Sequence, residues 1–157
     1  MVKTDNVKII RAEPDHVDLI APLFDAYRQF YDCPPDLEKA RNYIDERLRN
    51  DESVIFLALE NNGGANIGLG FTQLYPTFCS VDAARVWVLY DLFVRDDARR
   101  RGIGRQLMER ARELGEETGA AWIGLETAIN NLSAQALYES LGYKKDVEFH
   151  HYILSLE

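Results

Sequence analysis

The sequence has no apolar run of the roughly eighteen or more residues that a membrane-spanning helix needs, and it holds only two cysteines, Cys33 and Cys79. The first absence excludes a transmembrane helix, so no membrane is expected as a partner. The second excludes a disulfide framework and a cysteine-based metal site, because two isolated thiols have neither the number nor the spacing for either. The opening residues Met1-Val2-Lys3-Thr4-Asp5-Asn6 lack the apolar stretch of a secretory leader, which makes the cytoplasm the expected location. His16 and the pair His150-His151 have no third ligand at a useful spacing, so no metal is expected either. Positive charge is also short: 26 Asp and Glu face 18 Lys and Arg, a formal net charge of −8. Such a chain lacks the basic footprint that a phosphate backbone requires, and nucleic acid is not an expected partner. The acidity would sooner draw a cationic small molecule. Internal repeats, low-complexity tracts and long linkers are missing too, which leaves residues 1–157 as one expected domain.

What is present reads as an ordinary packed protein, with 46% hydrophobic and 28% charged residues. Residues 7–12 predict a short strand. Glu13-Pro14-Asp15 starts a helix that places Val17, Ile20, Phe24, Tyr27 and Tyr31 on one face. Pro34-Pro35-Asp36 ends it and opens a second helix, with Ala40, Tyr43, Ile44 and Leu48 at helical spacing. Residues 53–59 (SVIFLAL) predict a strand. The turn Asn61-Asn62-Gly63-Gly64 tolerates positive φ and returns the chain as an antiparallel partner over 67–75. Residues 76–84 read as a loop, 85–94 (RVWVLYDLFV) as the strongest strand, and 102–118 as an amphipathic helix stopped at Gly119. A strand over 121–127, a short helix over 133–141 and a terminal strand over 149–156 complete the order β-α-α-β-β-β-α-β-α-β. The expected class is therefore a mixed α/β (α+β) fold. Its central sheet is mostly antiparallel and flanked by helices, with one right-handed parallel crossover spanning 85–127.

Five arginines lie between Arg95 and Arg105, against the acidity of the rest. Within them, Arg99-Arg100-Arg101-Gly102-Ile103-Gly104 falls between the strongest strand and an amphipathic helix. The first turn of a helix leaves backbone N–H groups unpaired at the positive end of its dipole. Glycines there remove the side chains that would keep a phosphate away, and arginines add charge that binds in two-pronged fashion. Two other phosphate loops are excluded. No Gly-x4-Gly-Lys-[Ser/Thr] run occurs, and Leu107 stands where a dinucleotide fingerprint would place its third glycine. The bland alternative is a solvated arginine cluster beside a helix start.

Three motifs in order carry a resemblance. Arg99-x-x-Gly102-x-Gly104 resembles the [Gln/Arg]-x-x-Gly-x-[Gly/Ala] signature of the GNAT superfamily of N-acetyltransferases. Asp91-Leu92-Phe93-Val94 is similar to the end of that superfamily's fourth strand. Asn131-x-x-Ala134-x-x-Leu137-Tyr138-Glu139-x-Leu141-Gly142-Tyr143 is similar to its second cofactor motif. The chain looks most like the small stand-alone members grouped with histone- and polyamine-type acetyltransferases. The resemblance implies the GNAT fold and transfer of an acetyl group from acetyl-CoA to a primary amine by direct attack in a ternary complex.

By that resemblance the backbone of Leu92, Phe93 and Val94 holds the pantetheine arm. The loop of Arg99, Arg100, Arg101, Gly102, Ile103 and Gly104, with Arg105, holds the pyrophosphate. Asn131 contacts the pantetheine region, and Tyr138 is the general acid that protonates the departing thiolate, also touching the cofactor. For Tyr138 the plain alternative is core packing beside Leu137 and Leu141. An alkyl amine of pKa about 10.4 is almost fully protonated at pH 7, a handicap near 4–5 kcal/mol that a base must relieve. Polyamine-type relatives commonly carry glutamate before the Asp-x-Phe-Val strand end, and this chain has Tyr90. Asp91 and Glu126 remain as base candidates, and a structural carboxylate is an equal reading for both. Strict strand alternation puts Asp91 and Tyr90 on opposite faces unless a bulge intervenes.

The acceptor side is expected from the first two helices and the third and fourth strands, with Phe30, Asp32, Tyr75 and Tyr90 as substrate-binding candidates. Tyr27, Tyr31, Gln73 and Trp87 are further members of that group, although helical spacing equally makes Tyr27 and Tyr31 the buried face of the first helix. An aromatic wall with one carboxylate suits an ammonium group. The acceptor is a small amine, a polyamine or a protein amine, and a homodimer through the terminal strand is an arrangement the resemblance allows. A sensor that binds CoA on the same scaffold without catalysis is the competing reading.

Overall fold

The computed structural model describes residues 6–156; residues 1–5, read above as part of a chain start without a leader, and residue 157 lie outside them. The chain divides into two compact units between Glu126 and Thr127. The first unit holds β1 (Val7–Arg11), α1 (Val17–Phe30), α2 (Leu37–Arg49), β2 (Val54–Asn62), β3 (Ala65–Cys79), β4 (Ala84–Val94), α3 (Ile103–Glu117) and β5 (Ile123–Leu125). The second holds α4 (Leu132–Ser140) and the chain after it.

The five strands lie in sequence order, β1-β2-β3-β4-β5. Neighbours are antiparallel except β4 and β5, which run parallel across the α3 crossover. In β2, Val54 to Leu59 are all buried, which an unbroken apolar run achieves only when both faces of a sheet are covered. Ile55, Leu57 and Leu59 pack with Ile20, Leu23 and Phe24 of α1 and with Ala40 and Ile44 of α2. The other face belongs to α3: Arg110 lies over the Phe56 ring at 4.7 Å, and Thr118 Oγ1 accepts from Trp87 Nε1 at 2.8 Å. Leu107 of α3 is fully buried.

The joints follow local chemistry. Glu13 and His16 form a reciprocal cap ahead of α1, with Glu13 N–H donating to His16 Nδ1 at 2.9 Å. Asp36 caps α2 by accepting from Lys39 N–H, and buried Asp25 accepts from Asp36 N–H at 2.9 Å, which pins the α1–α2 turn. The β2–β3 hairpin turns on Gly63 and Gly64 at φ 64° and 91°, the paired positive values a tight two-residue hairpin requires.

Two expectations need correction. Residues 76–79, read as loop, continue β3 opposite β4, with Pro76 facing Trp87. β2 pairing ends at Leu74, so beyond it β3 is an edge strand where the missing proline N–H costs no ladder bond. The terminal strand over 149–156 does not form, which removes the last element from the expected order. Phe149, Tyr152, Ile153 and Leu154 are exposed, and β-type side chains make no strand without a partner ladder.

Candidate active site

The site begins with an irregularity in β4. Gln73 of β3 faces Asp91, but the next residue, Leu74, faces Leu89, so Tyr90 is an extra residue. Asp91 and Phe93 therefore share the α1 face, where Phe93 packs on the core under α1. Without the insertion Trp87 and Leu89 would join them; instead Trp87 turns to α3. The bulge also marks where β5 departs, because β5 pairs only with Trp87, Val88 and Leu89. From Tyr90 to Val94 the edge of β4 is released by β5, and such an edge offers backbone donors and acceptors to an extended ligand.

A cavity of about 500 Å³ opens on the α1 face beside the bulge, within the size range of small-molecule sites. Tyr90 and Asp91 both line it, although they are consecutive residues of a strand. This is the bulge at work, aiming two neighbours at one space. Tyr27 and Arg28 of α1, with Tyr31 just past its end, form a second wall with Phe24. Tyr43 of α2 and Tyr75 of β3 close a third, and Cys33 lies at the rim from the α1–α2 turn. The aromatic rings brace one another: Tyr75 meets Tyr90 edge-on at 5.6 Å, and Tyr27 meets Tyr31 at 5.1 Å. Tyr27 Oη donates to the Tyr90 carbonyl at 3.1 Å, which ties the bulge to α1.

Asp91 is 4% exposed. Gln73 Nε2 donates to Asp91 Oδ2 at 2.5 Å, Ser53 Oγ donates to Gln73 Oε1 at 2.8 Å, and Thr72 Oγ1 donates to the Asp91 carbonyl at 2.8 Å. Burial pushes the Asp91 carboxyl up to about 6 from 3.8, against the opposing pull of hydrogen bonds from Gln73 and Tyr27. A carboxyl tuned there is mostly ionised at pH 7 yet basic enough to take a proton. Across the cavity, burial, the 2.5 Å contact with Tyr43 Oη and the charge of Asp91 push the Tyr75 phenol upward, so it stays neutral.

Past Val94 the chain turns through Asp96–Ala98 into the arginine loop. Gly102 sits at φ 75° as the residue before α3, and no side chain caps the helix. The first turn contains no acidic residue. The first turn of a helix concentrates N–H groups at the positive end of its dipole, and the space beside Gly102 is open. The arginines divide their work. Arg95 is paired with Asp97, Arg99 with Asp96 and the Val94 carbonyl, and Arg101 with Glu60 of β2 at 2.6 Å. The last pair anchors the loop to the sheet. Arg100 and Arg105 are exposed. Leu92, Phe93 and Val94 lie between bulge and loop, opposite Thr72, Phe71 and Gly70.

The remaining expected residues lie elsewhere. Gln73 stands behind Asp91 as its support. Phe30 is exposed and packs edge-on against Tyr31, and Asp32 occupies the turn after α1 at φ 62°; neither lines the cavity. Glu126 is exposed and also not among the lining residues. Asn131 and Tyr138 belong to the second unit. There Asn131 Oδ1 caps α4 by accepting from Ala134 N–H at 3.2 Å, and the Tyr138 ring lies 6.1 Å from that of Tyr143. Arg28, Tyr43, Phe24 and Cys33 were not singled out from the sequence for this cavity. Tyr43, a phenol among aliphatic residues at helical spacing, carried a usable signal; Arg28 carried none. Among the described residues no group of three His, Cys, Asp or Glu could hold a metal, and no helix is long and apolar enough to cross a membrane.

Comparison with known proteins gives a consistent picture. A family model described as the acetyltransferase (GNAT) family matches residues 20–143. The uncharacterised N-acetyltransferase YhfO of Bacillus subtilis is 42% identical over 150 residues, covering 96% of this chain and 98% of its own. A probable acetyltransferase of Haemophilus influenzae is 31% identical over 150 residues, covering 96% and 99%. A crystal structure of a probable acetyltransferase shares 41% identity at a TM-score of 0.88, covering 96% of this chain and 98% of that one.

Proposed function

The chain belongs to the GNAT acetyltransferase family, and from that premise we propose that it transfers an acetyl group from acetyl-CoA to the primary amine of a small molecule held beside the β4 bulge. The observation that carries this reading is the position of Asp91. It is a buried carboxylate of raised pKa, it lines a cavity of small-molecule size, and it lies on the strand that leads to an uncapped helix N-terminus. The match over 20–143 runs through both compact units and supports treating residues 1–157 as one catalytic domain.

Acetyl-CoA supplies the activated acyl group as a thioester. The first turn of α3, with Gly102, Ile103 and Gly104, receives the pyrophosphate together with Arg100 and Arg105, while the paired Arg99 and Arg101 hold the loop's shape. The released edge at Leu92, Phe93 and Val94 binds the pantetheine arm. In the cavity the aromatic walls hold the acceptor, and its ammonium loses a proton to Asp91, directly or through a water. The free amine nitrogen then attacks the thioester carbonyl, and a backbone N–H of the released strand steadies the oxyanion, a contact worth on the order of 3 kcal/mol. Collapse breaks the C–S bond as the nitrogen releases its second proton to water. By their places in the motif, Tyr138 is assigned to protonate the leaving thiolate, its phenolate then regaining a proton from water, and Asn131 to the pantetheine side. A cavity of this size favours a small amine over a protein lysine.

Two assays test the reading. Thermal unfolding with acetyl-CoA, CoA and ATP should show stabilisation by both thioester and thiol, and stabilisation by ATP alone would contradict it. Tyr138→Phe should lower turnover in a thiol-release assay while nearly preserving acetyl-CoA affinity. Equal loss of both would make Tyr138 a packing residue.

A further inference from the structure

We infer that the acceptor carries an anionic group as well as its amine, and that Arg28 receives that anion in the cavity that Asp91 also lines. This rests on the reading of the cavity as the acceptor site. Apart from Cys33, every lining residue other than Arg28 and Asp91 is aromatic, so the wall holds one cation and one anion.

The two charges differ in how they are satisfied. Asp91 is held by Gln73, as described above. Arg28 sits in the last turn of α1, and its Nη1 is closed off from solvent with no acceptor among the described residues. A guanidinium nitrogen donates and does not accept, so a bare Nη1 is a donor awaiting an acceptor. The acid one turn away is directed elsewhere: Asp25 accepts from Asp36 N–H and Gln29 Nε2. A polyamine would put a second cation beside Arg28 and be opposed by it. A molecule bearing an amine and a carboxylate matches both charges of the wall, and the tyrosine rings of that wall hold an apolar or cationic body. The substrate class is thus an amino acid or a comparable amino acid-like acid, and Arg28 is its specificity-determining residue.

The test separates binding from turnover. Calorimetric titrations of the CoA-bound protein with tyrosine, lysine and β-alanine are compared with tyramine, cadaverine and ethylamine, the same amines without the carboxylate. O-phosphoethanolamine adds a phosphate arm. At least one carboxylate or phosphate ligand should bind roughly ten- to hundredfold more tightly than its uncharged-end partner, the range expected for a charged hydrogen bond. Arg28→Gln should erase that difference while acetyl-CoA still stabilises the variant, which shows that it folds. Arg28→Lys should restore it in part. Equal or tighter binding of the decarboxylated amines, no binding by any member, or a preference that survives Arg28→Gln overturns the inference. Thiol release is read separately. Amines acetylated without regard to the acid group would leave the acetyltransfer reading standing and remove this one. An Arg28-dependent preference for acids without any acetyl transfer would do the reverse.

Discussion

At the scale of single residues, Asp91 bears most of the chemistry in the proposed reaction, and its environment makes two separate predictions. The proton acceptor must be ionised, so kcat/KM should rise with pH through an apparent pKa near 6. Asp91→Asn should remove that limb and lower kcat/KM by about 10²–10⁴, the usual worth of a positioned base. A pH–rate profile that keeps its acid limb in the variant would place the base elsewhere, Glu126 being the next candidate. The stability prediction has the opposite sign. A carboxyl raised from 3.8 to about 6 on folding binds its proton more tightly in the native state. Its contribution to stability is therefore complete below the unfolded value and declines as pH rises through the folded one. At pH 7 the ionised, buried carboxylate costs on the order of 3 kcal/mol. Asp91→Asn should thus be the more stable protein at pH 7, with the gain fading below about pH 4. Chemical denaturation at the two pH values checks it, and a variant less stable at both would make Asp91 a structural carboxylate.

At the scale of elements, the β4 bulge organises the site. Tyr90 is the inserted residue, and register is kept on both sides of it. Deleting Tyr90 should give a regular strand that still folds, with a melting temperature close to that of the parent. It should abolish activity, because the carbonyl held by Tyr27 goes with it and the release from β5 loses its cause. An unfolded deletion variant would show that the bulge is needed for the sheet itself. The loop gives a second test: Gly102→Ala forces a Cβ into φ 75°, which costs about 1–2 kcal/mol. Stability should fall by that amount, whereas acetyl-CoA affinity should fall further than for an equally destabilising core change such as Leu107→Val.

These elements also divide what the sequence could reveal. The Gly63-Gly64 turn and the glycine-arginine helix start carry local signals, and both were readable. The bulge was not locatable, because RVWVLYDLFV is apolar on both faces and so hides its own change of phase. β3 looked shorter than it is because Pro76 reads as a breaker until the sheet's edge is known. The terminal strand failed for the converse reason: a strand-like composition over 149–156 has no ladder to join. Cavity membership was legible for Tyr75 and Tyr90, which were sought near the chemistry. It was not legible for Arg28, whose significance depends on an unmet hydrogen bond that no spacing discloses.

At the scale of the whole molecule, two opposed features meet: a chain of net charge −8 and an arginine loop at the start of α3. Arg95, Arg99 and Arg101 are paired with acids, which sets the cluster apart from a broad basic surface. Binding to DNA or RNA should therefore be undetectable at physiological salt in an electrophoretic shift assay, and a salt-sensitive complex would contradict that. The proposed reaction is acetyl transfer from acetyl-CoA to a small amine through the bulge and its carboxylate. The most direct measurement is transfer of labelled acetyl from acetyl-CoA to an amine panel, with amide product and released thiol quantified together for the parent and Asp91→Asn. Labelled amide should form in equal amount to thiol, with both falling together in the variant. Thiol released without any labelled amide, or amide formation indifferent to Asp91→Asn, would contradict it.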